Sequence, residues 1–380
     1  MAIEDKDEVV TLCAAGDLSL ANAVEDRMKS NGIHHPFTLI NHVLQSGDIV
    51  FANLENVFTK SRTLKSGQAH LLKCNPRGME AVAGAGFNVL SLANNHIMDF
   101  GEDGIIDTIN VMKQWKIGHV GAGRDLASAR SHMIIEKKGI RVGFLAYSMK
   151  GIHSASNEQP GAAWNNYEHI SEDVSLLKKQ VDHIVVSLHA GVEFVDYPHP
   201  EHRKLCHRIA KLGVSLILGH HPHVLNGIEK VGGSLIAYSL GNFVFDRKIM
   251  DYNTEHTQQS MIIRCKLSKK SILGYEVIPT VMNEDYQVEL AHGKTADLIN
   301  ENLNNVSSCL LSNDYPSIYF KQVNELWPKI NIAVNLKIIK EQGLLAFMKR
   351  LPRIKLEYIL RAAKYGVMKI KLSIYRIFIH

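Results

Sequence analysis

The chain has 380 residues, 46% of them hydrophobic and 21% charged, enough to bury the core of one large domain with an appendage or of two domains. Its five cysteines are scattered, odd in number and without CxxC spacing, which indicates neither a disulfide framework nor a cysteine-based zinc site and fits a reducing compartment best. The net charge of +5 conceals an asymmetry: Lys329 to His380 carries twelve Lys and Arg against two acids, leaving 31 basic and 36 acidic residues for the remainder.

The N-terminus, Met1 to Glu8, is acidic and leads directly into a strand, so no secretory signal is expected. No apolar run reaches the roughly 18 residues of a spanning helix. The expected location is cytoplasmic, either soluble or peripheral on the inner membrane face. Val9 to Ala15 reads as a buried strand ending in Gly16 and Asp17, followed by a helical pattern from about Leu20 to Ser30. After a helix near Phe37 to Gln45, the run Asp48 to Leu54 ends on Glu55. Arg77 to Ala85 is helical in pattern, and Asn88 to Ala93 is a buried strand that ends in Asn94, Asn95 and His96. A helix is expected from about Asp103 to Trp115, and Gly121 to Arg124 reads as a turn.

His132 to Glu136 and Arg141 to Tyr147 predict a hairpin through Lys138 and Gly139, and Ser154 to Tyr167 a long surface loop. Helices over Ser171 to Val181 and Glu201 to Leu212 lead into two apolar runs that stop at histidines: Ile184 to Leu188 at His189, and Val214 to Gly219 at His220, His221 and His223. Leu235 to Leu240 runs into Gly241 and Asn242. Two antiparallel strands follow, Ser260 to Leu267 and Gly274 to Val281. Past about residue 285 the strand pattern stops, which divides the chain into 1–285 and a helical, basic extension, 286–380. Near its end Leu356, Ile359, Leu360, Ala363, Val367, Ile370, Ile374 and Ile377 share an arc of roughly 100°, with Lys355, Arg361, Lys364, Lys369 and Arg376 around it. Such a basic amphipathic helix either packs on the protein's own layers or lies on an anionic membrane surface; both readings stand.

Buried strands in layered α/β proteins carry their chemistry at their carboxyl ends. Asp17, Glu55, Asn95, His189, His221 and His223 occupy such ends, with His220 competing for a place beside the last two. A lone Asp there is often a helix cap, and Asn-Asn is often a turn. Carboxylates, an amide and imidazoles recurring at five strand ends suit a divalent first-row ion such as Mn, Fe or Zn, or a pair of them.

The motifs Gly16-Asp17, Asn53-Leu54-Glu55, Ala93-Asn94-Asn95-His96 with Asp99 and Gly101, His189-Ala190-Gly191-Val192-Glu193, Gly219-His220-His221-Pro222-His223-Val224 and Tyr238-Ser239-Leu240-Gly241-Asn242-Phe243 resemble, in order and spacing, the CapA family of poly-γ-glutamate and capsule synthesis proteins. That family belongs to the calcineurin-like metallophosphoesterase superfamily, and the resemblance covers roughly residues 9 to 250. It implies a four-layer α-β-β-α sandwich with two divalent metals on its rim. Asp17 and His223 would bind one ion, Asn95, His189 and His221 the other, and Glu55 would bridge them. His96 would protonate a leaving oxygen while a metal-bridging hydroxide attacks, with Asn94 and Glu193 as further catalytic residues. Ser19 stands where the superfamily's opening Asp-x-His has its His, and the bridging acid is the longer Glu; CapA proteins share both features.

The resemblance implies a metal-dependent hydrolase linked to capsule or exopolymer synthesis, acting on a phosphoester or on an amide or ester bond of an anionic polymer. The alternative is a non-catalytic assembly component of an exopolymer synthesis machine. Partners would be that substrate, exopolymer synthesis proteins and, through the C-terminal helix, an anionic membrane surface. No nucleic-acid partner is expected.

Overall fold

A computed structural model describes residues 8–64, 70–248 and 256–326. The chain divides into two compact units, Met1–Tyr315 and Pro316–His380. The basic amphipathic helix expected near the C-terminus lies outside the described residues, so its two readings stay as the sequence left them.

The first unit is built on two sheets. The larger has eight strands, in the order Val288–Leu290, Ile272–Met282, Gln259–Leu267, Val10–Leu18, Ile49–Leu54, Val89–Ser91 and Gly118–Val120, with Asn242–Val244 also paired to Val10–Leu18. The smaller has six, in the order Ile228–Val231, Ser234–Ala237, Leu216–His220, His183–His189, Ile140–Ser148 and Met133–Lys137. Val10–Leu18, Ile49–Leu54 and Val89–Ser91 run parallel, as do Ile140–Ser148, His183–His189 and Leu216–His220. Their carboxyl ends therefore gather along one rim.

Strand periodicity of two decides what each face buries. Leu12, Ala14, Ile49 and Phe51 of the larger sheet share a core with Val142, Phe144, Val185, Leu216 and Leu218 of the smaller one. Phe51 and Phe144 stack across this interface at 5.9 Å. The alternate residues Cys13, Ala15, Val50, Ala52 and Leu90 face helices Ala23–Asn31, Met79–Gly84 and Gly101–Gln114, through Val24, Met28, Val82, Ile105 and Met112. On the far side of the smaller sheet, helices Tyr167–Leu177 and Pro200–Ala210 bury Ile170, Val174, Leu177, Cys206 and Ile209. The side chain of Leu177 sits against Gly143, and Ser234 Oγ lies 3.4 Å from the Ala210 carbonyl. This is the expected four-layer arrangement, helices outside and two sheets within. Helix Gly293–Leu310 continues the chain, with Ser307 accepting from the Ile228 amide at 2.9 Å, and residues 315–326 are helical.

Three local expectations are corrected. The stretch expected as a turn at Gly121 to Arg124 contains Ala122–Gly123, paired antiparallel with Gly161–Ala162. The Ser154 to Tyr167 loop consequently buries Ala155, Ala162 and Ala163 instead of lying wholly on the surface. The strand pattern also continues beyond residue 285, because Val288–Leu290 adds an edge strand to Ile272–Met282.

Candidate metal centre

The alternation that builds the inter-sheet core also aims its terminal residues. Asn53 and Glu55 follow Ile49 and Phe51 at intervals of two, His189 follows Val185 and Ser187, and His220 follows Leu216 and Leu218, so all four point between the sheets. Asp17 is out of phase with Leu12 and Ala14, and a register shift between Ala14 and Asp17 re-aims it. That shift requires Gly16, because a Cβ there would collide with the Gly241 carbonyl. The turn after His220 holds His221 at φ 95° and His223 at φ 59°, conformations that cost non-glycine residues of order 1–3 kcal/mol each. Such strain is tolerated where a turn must present side chains to one point.

Asp17 Oδ1 accepts from Asn53 Nδ2 at 2.9 Å and from His220 Nδ1 at 3.1 Å, and Oδ2 accepts from the His221 amide at 3.1 Å. Glu55 lies under three imidazoles: its Oε1 is 3.7 Å from His189 Nε2, 3.9 Å from His223 Nε2 and 4.0 Å from His96 Nε2. Asn95 Oδ1 is 2.8 Å from His189 Nε2. Two groups of potential ligand atoms lie within 4.8 Å of one another, Asp17 with Glu55 and His189, and Glu55 with His221 and His223. They share Glu55, as a bridging residue would be shared, but they group His189 with Asp17 and His221 with His223, across the division implied by the resemblance.

Both Glu55 carboxylate oxygens are buried and, among the described residues, have no hydrogen-bond partner; the same holds for His221 Nδ1. Burial, followed by the negative charges of Asp17, Glu193 and Asp99, pushes the Glu55 carboxyl well above the usual range. Burial pushes Asp17 up as well, but the hydrogen bond and charge of His220, with His223 and Asn53, outweigh it and hold that carboxyl low. His189 is driven well below the ordinary histidine value by burial and by the other histidines, and burial takes His221 down to about 4. Buried carboxylates without partners are costly, and neutral imidazoles are metal-ligating imidazoles. A site that concentrates both is neutralised by divalent cations, and its oxygen and nitrogen donors suit first-row ions. The residues fit the metals that the sequence implies.

Beside the candidate ligands, His96 Nδ1 is 2.8 Å from Asp99 Oδ2, which also accepts from the Leu72 amide at 2.8 Å. A carboxylate accepts only, so Nδ1 carries the proton and Nε2 faces Glu55. Asn94 lies beneath the site as a brace, donating to the Leu54 carbonyl at 2.7 Å while its Oδ1 accepts from the His96 amide at 3.1 Å. Glu193 is exposed, and its charge is felt by both Glu55 and His221. His220 is drawn to Asp17 and fully buried, outside both ligand groups. Asn53, Asp99 and Asn242 stood inside the motifs without an assigned role, and only their through-space partners supply one. His153 had no signal: it bonds Met149 O and Ser148 Oγ through Nε2 at 2.9 and 3.0 Å, and it comes near enough to His96 and Asp99 to feel their charge.

Two face-packed sheets with outer helices, and a strand-end cluster of His and carboxylates shared through Glu55, define a four-layer α/β protein with a candidate dinuclear metal centre. The chain belongs to the bacterial capsule synthesis protein family PGA_cap, whose model matches residues 11–247. It is 31% identical over 283 residues to the PGA biosynthesis protein CapA of Bacillus subtilis (strain 168), covering 73% of each chain. It is 29% identical over 288 residues to the capsule biosynthesis protein CapA of Bacillus anthracis, covering 73% of this chain and 69% of that one. Among solved structures, a novel phosphatase from Mycoplasma pneumoniae is similar in fold, with a TM-score of 0.47 and 15% identity over 72% of this chain and 94% of that one.

Proposed function

We propose that the chain is a metal-dependent hydrolase in capsule or exopolymer synthesis, acting on a phosphoester or on an amide or ester bond of an anionic polymer. The observation that carries this reading is Glu55, a buried carboxylate without a hydrogen-bond partner among the described residues, at the shared corner of two groups of candidate ligands. Mn, Fe or Zn would be held by Glu55 with Asp17, Asn95, His189, His221 and His223, and when bound would supply Lewis acidity and acidify water. Fixed by Asp99 through Nδ1–H, His96 presents Nε2 to the site, and the ring when protonated on both nitrogens gives its Nε2 proton to the departing oxygen or nitrogen, keeping the Nδ1 proton hydrogen-bonded to Asp99. Asn94 keeps the His96 backbone in register with the end of the Glu55 strand. Glu193, the exposed acid at the rim, is the remaining candidate for contact with substrate.

A second reading, a non-catalytic assembly component, is favoured by Ser19, which is buried and offers its Oγ to the Ala21 amide at 3.5 Å where the superfamily has a His. A panel of aryl phosphates and γ-glutamyl peptides with added Mn(II), run on the full chain and on His96→Asn, separates the two. The hydrolase reading expects metal-dependent turnover of one class, reduced by roughly 10²–10⁴ in the variant at unchanged metal content. Absence of turnover throughout the panel by metal-loaded protein would favour the assembly role.

A further inference from the structure

We propose that Asn242 is a positioning residue of the metal centre, fixing His223 in the tautomer that leaves Nε2 bare toward Glu55. The inference rests on the metal-centre reading above and concerns how one of its ligands is prepared. The Asn242 amide is oriented by its second bond: Nδ2 donates to the Thr257 carbonyl at 3.1 Å, which only the amino end of the amide can do. Its Oδ1 is therefore the atom 2.8 Å from His223 Nδ1. An amide oxygen accepts only, so Nδ1 carries the proton and a neutral ring has its lone pair on Nε2.

That lone pair lies 3.9 Å from Glu55 Oε1, within the roughly 4.2 Å that two ligand bonds to one ion can span. Asp17 is the competing acceptor for the Nδ1 proton, but its Oδ2 is 3.6 Å away, too far for a hydrogen bond. The rings of Phe245 and Phe194, with centroids 4.9 and 6.2 Å from that of His223, hold the imidazole in place but carry no preference between its nitrogens. Asn242 and His223 are both buried, so solvent does not decide the tautomer either.

The fold reserves this position for Asn242. Strand Asn242–Val244 runs parallel to Val10–Leu18 with Asn242 opposite Asp17, and the Gly241 carbonyl accepts from the Asp17 amide at 2.9 Å. Gly241, at φ 71°, makes the turn that enters the strand, and a Cβ on it would come within 2.6 Å of the Gln259 carbonyl. One short segment thus seats the backbone of one ligand and orients the ring of another.

The test uses the full chain, stripped with chelator and titrated with Co(II), followed by calorimetry and by the visible spectrum of the bound ion. Asn242→Ala is expected to weaken one Co(II) site by 10–100-fold and change its spectrum while leaving the other site intact, and Asn242→Asp, which keeps the acceptor, to restore both. Wild-type affinity and spectrum in Asn242→Ala would overturn the role of Asn242 and leave the metal centre standing. A wild-type chain that takes up no Co(II) would overturn the metal centre and this inference with it. Long-range ¹H–¹⁵N spectra of the wild-type histidines, with the His223 signals assigned through His223→Gln, need no Asn242 variant. An Nδ1–H tautomer at His223 supports the proposal, and an Nε2–H tautomer overturns it.

Discussion

Replacing Glu55 by Gln should move stability in opposite directions with and without metal. In the metal-free chain both Glu55 oxygens are buried without hydrogen-bond partners among the described residues, and Asp17, Asp99 and Glu193 add negative charge around them. The folded chain must carry either a buried anion or a proton taken up at a cost of about 1.4 kcal/mol per unit of pKa displacement. Gln keeps the shape and removes the charge, so Glu55→Gln should stabilise the stripped protein at pH 7 by about 1–3 kcal/mol, a fraction of the cost of an unpaired buried ion. The sign follows from the raised carboxyl. The Glu55 penalty is absent below its unfolded value near 4.5 and grows as the pH rises toward its folded one, so the advantage of Gln should vanish in acid. With Mn(II) at about a hundred times its dissociation constant, the wild type gains about 2.7 kcal/mol from one site, and the variant loses this gain because Glu55 belongs to both ligand groups. Urea unfolding of both chains in chelator and in Mn(II), at pH 7 and pH 4.5, reads all four quantities. A variant that is less stable than wild type in chelator, together with a wild type indifferent to Mn(II), would refute the assignment of Glu55.

Burial takes His202 down to about 4 from 6.5, so its contribution to stability is present above 6.5 and is lost as the pH falls through that window, by about 3 kcal/mol in full. His202→Gln should flatten the pH dependence of urea stability between 6.5 and 4, and an unchanged slope would contradict the burial argument. At Gly219 an added Cβ would collide with the Tyr238 carbonyl, so Gly219→Ala should cost about 1–3 kcal/mol and weaken metal binding by displacing His220 and His221; wild-type stability in this variant would count against the packing described. For the basic tail, with on the order of 1 kcal/mol per Lys or Arg near an anionic leaflet, we predict flotation of the full chain with anionic vesicles at low salt and its loss in a chain ending near Leu351. Flotation that survives the truncation, or that is absent from the full chain, would overturn membrane attachment through the expected C-terminal helix.

The candidate cluster was legible because a buried strand is an apolar run, and a carboxylate or imidazole that ends one has few reasons to be there other than chemistry. Asp17, Glu55, His189, His221 and His223 all met that description, and the structure brings them together. The supporting residues were not legible in this way. Asn242 owes its role to His223, Asn53 to Asp17 and Asp99 to His96, and two of these partnerships join different strands or loops that no local pattern connects. His220 and His221 are adjacent and alike in sequence; the backbone turn at φ 95° sends one toward Asp17 and frees the buried Nδ1 of the other. Short strands were lost for a related reason. Ala122–Gly123 and Val288–Leu290 are too brief to show a period, and their hydrogen bonds come from distant partners.

Metal content of the chain as isolated, measured by mass spectrometry of its elements alongside Asp17→Ala and His223→Ala, bears most directly on the account. We predict close to two first-row ions per wild-type chain, with at least one lost in each folded variant. A wild-type chain without first-row metal, unaltered by either substitution, would contradict a metal centre built around Glu55.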